Sequence, residues 1–303
     1  MIYLAYDGSL NGDWIFRYAL RLASQSEEKK LHLIHVRDGG LPEELVEQKL
    51  LDLREECRAA DIGLIREIRP LEKSVFQSLL RAVPEGRSHC LVCGTRVRSR
   101  RQTYLSGTVS EQLLRQRKFS VMAVRVVQPG LLGNPHHFLI PPAGHPRGFA
   151  SGWPVFRLFL PQVATVHLLR CIKFSSFHSR NLSLQKKRSL HEKGFKHLSK
   201  VRDEILEKKG SPEFFLDLYI AVSNDWVREI LVHASTLKIQ MILLGASERT
   251  LARRVLQSDP FERLLRDSPC DVGIYRGIRR LHARSRTLKR MRFSVSSAAV
   301  RRD

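Results

Sequence analysis

The sequence lacks an apolar run long enough to cross a bilayer. A membrane-spanning helix needs about 20 apolar residues, and the strongest candidate, LFLPQVATVHLL, is shorter and contains Pro161, Gln162 and His167. The first residues, MIYLAYDGS, have no basic segment followed by a small-residue cleavage site, and they are typical of a buried strand rather than a signal peptide. The sequence therefore predicts a soluble protein.

Cysteine is also scarce. The chain has five cysteines, an odd number without the spacing of a disulfide framework, which favours a reducing cytoplasm. Cys90 and Cys93 have the spacing of a metal-binding pair, but they lie in HCLVCG, a predicted buried strand. Residues three apart on a strand point to opposite faces, so core packing is favoured. The alternative, a metal or redox role, lacks a second ligand pair.

Acidic residues are outnumbered by basic ones. The 303 residues include 52 Lys and Arg against 30 Asp and Glu, a net charge of +22. Such an excess predicts attraction to an anionic partner, whether nucleotide, nucleic acid, acidic protein or membrane surface. The positive charge is dense in two segments: the loop that contains Arg96, Arg98, Arg100 and Arg101, and a basic tail over residues 278–303 that we expect to be disordered.

An internal repeat is visible when the chain is shifted by 151 residues. Identical residues then align at Gly94 with Gly245, Glu111 with Glu262, Leu113 with Leu264, Leu114 with Leu265, Arg115 with Arg266, and Arg125 with Arg276. The start of the second copy needs a shift of 136, and a long charged helix near residues 184–209 accounts for the difference. The repeat predicts domains at 1–128 and 136–277, joined by a Pro- and Gly-containing linker at 129–135.

Each copy alternates apolar strands with amphipathic helices. The first copy has predicted strands IYLAY, LHLIHV, GLIREI, CLVC and SVMAVRV, and its first helix begins at Ser9 or Asn11. In the second copy we expect Asn224 to cap the helix DWVREILVHA. Parallel neighbours need crossover helices, so the pattern predicts an α/β fold of two doubly wound, five-stranded parallel-sheet domains in tandem.

The first copy places polar and glycine residues where its strands end. Asp7 follows the first strand, Val36 ends the second and Gly94 ends the fourth. Parallel sheets bind ligands at this edge, and the segment Gly107-Thr108-Val109-Ser110 opens a helix whose N-terminus favours anions. Together with the arginine loop, these residues predict a nucleotide site. Two alternatives stay open: Asp7 as a turn residue, and the arginines as a solvated surface loop.

AYDGS and the stretch from Gly94 to Ser110 resemble the universal stress protein family in its tandem, two-domain form, over about residues 1–277. The resemblance implies an adenine nucleotide α-hydrolase-like fold and ATP binding, with or without magnesium, with slow hydrolysis at most and no dedicated metabolic reaction. It implies that the last strands of the two copies pair into an intrachain pseudo-dimer. It leaves open whether whole chains also associate into homo-oligomers. The nucleotide-binding residues that it implies are Ala5, Asp7, Val36, Gly94, Val97, Gly107, Thr108, Val109 and Ser110.

The chain departs from the family's G-x2-G-x9-G-[ST] spacing at one position, because Val97 replaces the second glycine. If this position needs a positive φ, valine costs about 1–2 kcal/mol. The second copy departs further, and we expect it not to bind nucleotide in the same way: Ala143 replaces the aspartate, Glu248 the second glycine, and Ser258-Asp259 the final pair. The leading hypothesis is a cytoplasmic, ATP-responsive stress regulator. The alternative is a nucleotide-independent module that binds an anionic partner through the basic loop and tail.

Overall fold

The computed structural model describes residues 1–95, 105, 107–142, 149, 152–173, 184–209, 214–245 and 259–278. These residues form a single sheet with helices on both faces. The strands are β1 (Ile2–Tyr6), β2 (Lys30–Arg37), β3 (Gly63–Pro70), β4 (Gly86–Gly94), β5 (Phe119–Arg125), β6 (His137–Ile140), β7 (Thr165–Ile172), β8 (Phe215–Val222), β9 (Met241–Gly245) and β10 (Asp271–Arg276). The helices are α1 (Leu10–Ser24), α2 (Glu43–Ala59), α3 (Val75–Ala82), α4 (Val109–Arg115), α5 (Trp153–Phe156), α6 (Leu184–Lys209), α7 (Trp226–Thr236) and α8 (Asp259–Asp267).

The ten strands lie in the order β3-β2-β1-β4-β5-β10-β9-β6-β7-β8. All neighbours are parallel except β5 and β10, which pair antiparallel with Ala123 opposite Ile274. The prediction of an α/β fold with a mostly parallel sheet is confirmed. The last strands of the two halves pair, as the resemblance implied, and they join the halves into one continuous sheet.

Local sequence accounts for the helix starts. The Ser9 side chain caps α1 by accepting a hydrogen bond from the Gly12 N–H at 3.1 Å, and the predicted stripe of Ile15, Ala19 and Leu22 is buried. For α7 the expected cap is wrong by one residue. Asp225, not Asn224, accepts the Arg228 N–H, and it does so at 3.1 Å. A carboxylate at this position also pairs with Arg263 of α8, which an amide would do less strongly.

Two apolar layers cover the two faces of the sheet, and the cysteines of β4 divide between them. Cys90 packs against the layer that contains Leu4 and Val92, whereas Cys93 lies in the layer with Tyr3 and Leu91. The prediction that these sulfurs diverge is confirmed. Burial raises the pKa of each thiol to about 12, so both are protonated at neutral pH. All five cysteines are free.

The segment LFLPQVATVHLL does not form one continuous element. Leu160–Gln162 makes a short 3-10 turn, and β7 begins at Thr165. Among the helices in the described ranges, none combines the length and the apolar character that a membrane span requires.

Candidate functional site

A cleft of about 590 Å³ opens at the carboxyl ends of β1, β2 and β4. Its volume is within the range of about 300–1,000 Å³ that is usual for small-molecule sites. Seven sequence-predicted site residues line it: Ala5, Asp7, Val36, Gly94, Thr108, Val109 and Ser110. Gly107 is not part of the lining, and Val97 lies outside the described residues, as do the loop arginines. The topology thus gathers residues from four separate segments at one edge of the sheet.

The walls of the cleft are apolar, with polar groups at their edges. The larger apolar side chains in the lining include Ile15, Ile34, Val36, Val75, Leu79 and Leu113. The polar side chains in the lining are Asp7, Asn11, Asp38, Thr108 and Ser110. This composition, mostly hydrophobic with a few polar groups that fix orientation, is typical of sites for small organic ligands.

Asp7 stands at the mouth of the cleft and is exposed. Its Oδ1 accepts hydrogen bonds from the Ser9 backbone N–H at 3.0 Å and from the Ser9 hydroxyl at 2.6 Å. Gly12 permits this arrangement, because a Cβ there would lie 2.6 Å from Asp7 Oδ1. The aspartate therefore orients the cap of α1 while its carboxylate remains at the cleft, so the turn role and a ligand role are compatible.

The N-terminus of α4 is held by its own side chains. The Thr108 hydroxyl accepts the Glu111 N–H at 3.2 Å and donates to the Leu105 carbonyl at 2.6 Å. Its oxygen lies 2.9 Å from Ser110 Oγ. Gly107 has a φ of +71°, and its N–H donates to Glu111 Oε2 at 2.6 Å. Gly107 thus shapes the turn, and the two hydroxyls are fixed at the edge of the cleft.

The charge of the described lining is negative. Asp7 and Asp38 are the charged side chains in the part of the lining that the structure describes. This part offers carboxylate acceptors, hydroxyls and apolar walls, which match the chemistry of a ribose and a heterocyclic base. The sequence-predicted counterpart for phosphate charge, the loop with Arg96 and Arg98, lies outside the described residues.

Sequence reasoning missed the helical side of the cleft. Asn11, Gly12 and Ile15 come from α1, and Val75 and Leu79 come from α3. In the sequence, Ile15 belongs to an ordinary core stripe. In a hydrophobic stripe at helical spacing, residues that face a cleft have the same residue types as residues that face the core. A single sequence therefore gives no signal that distinguishes the cleft-lining residues from the core residues.

Contacts from the second half reach the elements that border the cleft. The Leu105 N–H donates to Glu262 Oε1 of α8 at 3.1 Å, and the Arg276 guanidinium of β10 donates to the Leu114 carbonyl of α4. Arg125 donates to the Arg266 carbonyl at 3.2 Å. The edge of the cleft and the junction between the halves are therefore physically continuous.

Of the second-half positions that depart from the family's residue pattern, the structure describes Asp259. Gly245 ends β9 as Gly94 ends β4, and Asp259 opens α8. Ala143, Glu248 and Ser258 lie outside the described residues.

Residues 1–125 match the family model described as the universal stress protein family. The solved structures similar to the chain include a universal stress protein from Archaeoglobus fulgidus DSM 4304, at 14% identity and a TM-score of 0.59 over 91% of this chain and 96% of that one. A putative universal stress protein from Pseudomonas aeruginosa UCBPP-PA14 gives 14% identity and a TM-score of 0.57 over 91% and 93%. No curated protein matches the chain. The first 125 residues are thus similar to the universal stress protein family, and the chain as a whole has the fold of solved structures that carry this name.

Proposed function

We propose that this chain is a nucleotide-responsive regulatory protein of the stress response, in which ATP bound in the cleft of the first half biases the association of the halves or of a partner. The observation that carries this proposal is the cleft itself, which gathers Asp7, Val36, Gly94, Thr108 and Ser110 from distant parts of the sequence. The free cysteines agree with the cytoplasmic location that forms part of the proposal.

The chemistry of the cleft suits the parts of an adenine nucleotide. Ile34, Val36 and Leu79 provide apolar surface for the base, and the exposed Asp7 carboxylate is an acceptor for ribose hydroxyls. Thr108 and Ser110 would meet the phosphates through their hydroxyls. A magnesium ion bound with ATP would prefer carboxylate and phosphate oxygens, and Asp7 and Asp38 are the acidic side chains in the described lining.

The contacts between the halves offer a route by which occupancy could be sensed. A ligand that contacts Thr108 and Ser110 would affect the turn at Leu105, whose carbonyl accepts from the Thr108 hydroxyl. The same turn contacts the second half, because the Leu105 N–H donates to Glu262. The ligand would also act on α4, whose Leu114 carbonyl accepts from Arg276. A ligand shifts such an equilibrium only by its difference in affinity for the two arrangements, so these contacts are where that difference would arise.

Duplication of one domain accounts for the architecture. The second half repeats the strand order of the first, with β6 to β10 in the places of β1 to β5. We propose the boundaries predicted from the sequence: domains at 1–128 and 136–277, a linker at 129–135 and a basic tail at 278–303. In this view the second domain serves as a partner for the first rather than as a second ATP site.

The alternative function is a nucleotide-independent module that binds an anionic partner, such as nucleic acid or an acidic protein. The net charge of +22 favours it.

Thermal unfolding of the full chain with ATP tests the nucleotide proposal. At 100 times its dissociation constant, a ligand adds about 2.7 kcal/mol to the stability of the folded state, so the melting temperature should rise clearly. Val75→Trp, which places a large ring in the cleft wall, should abolish the rise. Val232→Trp is the matched control, because Val232 is 49% exposed on α7 and lies outside the cleft. An absent rise in the unmodified chain at millimolar ATP would exclude nucleotide binding.

A further inference from the structure

The sheet ends in two edge strands, β3 in the first half and β8 in the second. Among the described strands, β3 pairs with β2 and β8 with β7, and neither has a second neighbour. β3, GLIREIRP, contains three charged residues and ends at Pro70, which lacks an N–H, and both features keep an edge from pairing. β8, FLDLYIAV, contains one charged residue, Asp217, and begins with Phe215, which is 78% exposed. The edge of β8 is therefore open to a further strand.

The backbone groups on the free side of β8 belong to aliphatic residues. The N–H groups of Phe215 and Ser223 donate to the carbonyls of Ala164 and Ile172, on the β7 side, at 3.0 and 3.1 Å. Successive residues of a strand direct their backbone groups to alternate sides, so the even-numbered residues of β8 direct theirs outward. These residues are Leu216, Leu218, Ile220 and Val222.

Helix α6 presents exposed apolar side chains on the same side of the molecule. Phe195 is 50% exposed, and Leu184, which is 77% exposed, lies eleven residues or three turns before it on one side of the helix. The opposite side of α6 carries Glu204, which accepts a backbone N–H from the segment before α5 at 2.8 Å. α5 packs over β6, since the rings of Phe156 and Phe138 are 5.8 Å apart. Phe195 and Leu184 therefore face away from β6, toward the free edge of β8.

Phe195 also lies level with the middle of β8. Its neighbour Gly194 is buried against the strand, because a Cβ there would lie 3.2 Å from Ile220. Ile220 follows Tyr219, whose ring packs on the other face of the sheet. An aromatic ring thus flanks the middle of this edge on each face.

We propose that β8 pairs antiparallel with β8 of a second copy of this chain, about a twofold axis at Tyr219. In this register the outward backbone groups meet one another, with Leu216 opposite Val222 and Leu218 opposite Ile220. Each of these residues would donate one hydrogen bond and accept one. The two Tyr219 side chains would lie directly opposite each other, and cross-strand aromatic pairs stabilise a sheet.

The side chains around the axis favour a second copy of the chain as the partner. Asp217 would lie opposite Ala221, so the carboxylates of the two copies would not oppose each other. On the helical face the axis passes near Phe195, and this exposed ring would meet its own counterpart. Arg188 and Arg202, on the same side of α6, each lie seven residues from Phe195, or about 10 Å along the helix. The centre of the contact is therefore apolar.

Sedimentation of the full chain over about 1 to 100 µM protein tests the pairing. The mass should rise from one chain to two as the concentration increases. Each copy carries a net charge of +22, so the dimer should become stronger when salt is raised from about 0.05 to 0.5 M, because salt screens the repulsion between the copies. Association through a bound polyanion would weaken instead.

A side-chain variant tests the helical contact. Phe195→Lys places two ammonium groups near the axis and should raise the dissociation constant of the dimer about tenfold or more. Val232→Lys is the matched control, since Val232 is 49% exposed on α7, whose buried residues belong to the apolar layer on the other face of the sheet. It adds the same charge and should leave the dissociation constant close to that of the unmodified chain.

A backbone variant tests the strand contact. Leu216→Pro removes an outward N–H from β8 and should weaken the dimer, whereas an edge strand tolerates proline where its N–H faces outward. Leu64→Pro is the matched control, because Leu64 is the second residue of β3 as Leu216 is of β8, and both are half-buried. Thermal melts establish that both variants are folded.

Three results would overturn the proposal. The first is a chain that remains monomeric at every protein and salt concentration. The second is a dimer that persists equally in Phe195→Lys, Leu216→Pro and their controls, which would place the contact on another surface. The third is a chain that dimerises only after residues 278–303 are removed, which would assign the edge of β8 to that segment of the same chain.

Discussion

At the residue scale, a buried carboxylate links segments of the two halves. Asp271 at the start of β10 is fully buried. It accepts hydrogen bonds from the Val127 and Gln128 N–H groups at 2.6 and 2.8 Å, and from the Tyr18 hydroxyl of α1. Burial raises its pKa, whereas the three hydrogen bonds act in the opposite direction. A buried acceptor of this kind is stabilising only while its donors stay in place.

Removing the Tyr18 hydroxyl tests this contact. Tyr18→Phe leaves one oxygen of Asp271 without its donor, and we expect the free energy of unfolding to fall by about 1–3 kcal/mol. Tyr219→Phe is the control, since Tyr219 is only partly buried and no hydrogen bond of its hydroxyl occurs among the described residues. Urea denaturation of both variants measures the difference. Indistinguishable midpoints would mean that the contact contributes no net stability.

Residues of this kind mark the limit of what one sequence reveals. Asp7, Gly94 and Thr108 could be predicted as neighbours because each follows a predicted strand or opens a predicted helix. Tyr18 and Asp271 are separated by 253 positions, and neither stands in a motif. Their contact depends on the three-dimensional path of the chain, which no local pattern encodes.

At the element scale, a single side chain sets both the start of α7 and its contact with α8. The Asp225 carboxylate caps α7 through the Arg228 N–H and pairs with Arg263 of α8. The pKa of Asp225 is lowered, first by the hydrogen bond from the Arg228 backbone and also by Arg263. A lowered pKa means that the folded state favours the ionised carboxylate, so its contribution to stability is present above the ordinary pKa and is lost as the pH falls below it.

Asp225→Ala should therefore destabilise the chain in a pH-dependent manner. At neutral pH the loss of the cap costs about 0.5–2 kcal/mol, and solvent screening keeps the ion pair's share small because both side chains are over a third exposed. The difference from the unmodified chain should narrow as the pH is lowered below about 4. Asn224→Ala is the control and should have little effect. Thermal melts at several pH values decide the point, and a difference that does not vary with pH would contradict this assignment.

Elements were predictable where their periodicity was strong. The apolar run IYLAY and the stripe of Ile15, Ala19 and Leu22 correspond to β1 and α1. The cap of α7 was displaced because Asn224 and Asp225 are both good capping residues, and the choice depends on Arg263, which is distant in sequence. The spatial order of the strands depends on the crossover connections between them. The residue pattern of a single strand does not indicate which strand will be its neighbour.

At the scale of the whole molecule, the junction between the halves is part of the core. Five residues of β5 are almost fully buried: Phe119, Val121, Met122, Ala123 and Val124. β10 covers the edge of β5 from Val121 to Arg125, with Val272 opposite Arg125 and Arg276 opposite Val121. Sequence offsets identify a repeat but do not show whether two copies share a sheet, so this continuity came from the resemblance and not from residue patterns.

The first half alone should therefore self-associate. A fragment of residues 1–128 retains β1 to β5 but loses β10, so the apolar strand β5 becomes an exposed edge with unpaired backbone groups, which is a template for pairing with another chain. Because β10 runs antiparallel to β5, a second copy of β5 can take its place about a twofold axis. Light scattering should give twice the fragment's mass. A fragment that stays monomeric and folded would show that β5 tolerates exposure and that the halves are joined less tightly than their shared sheet implies.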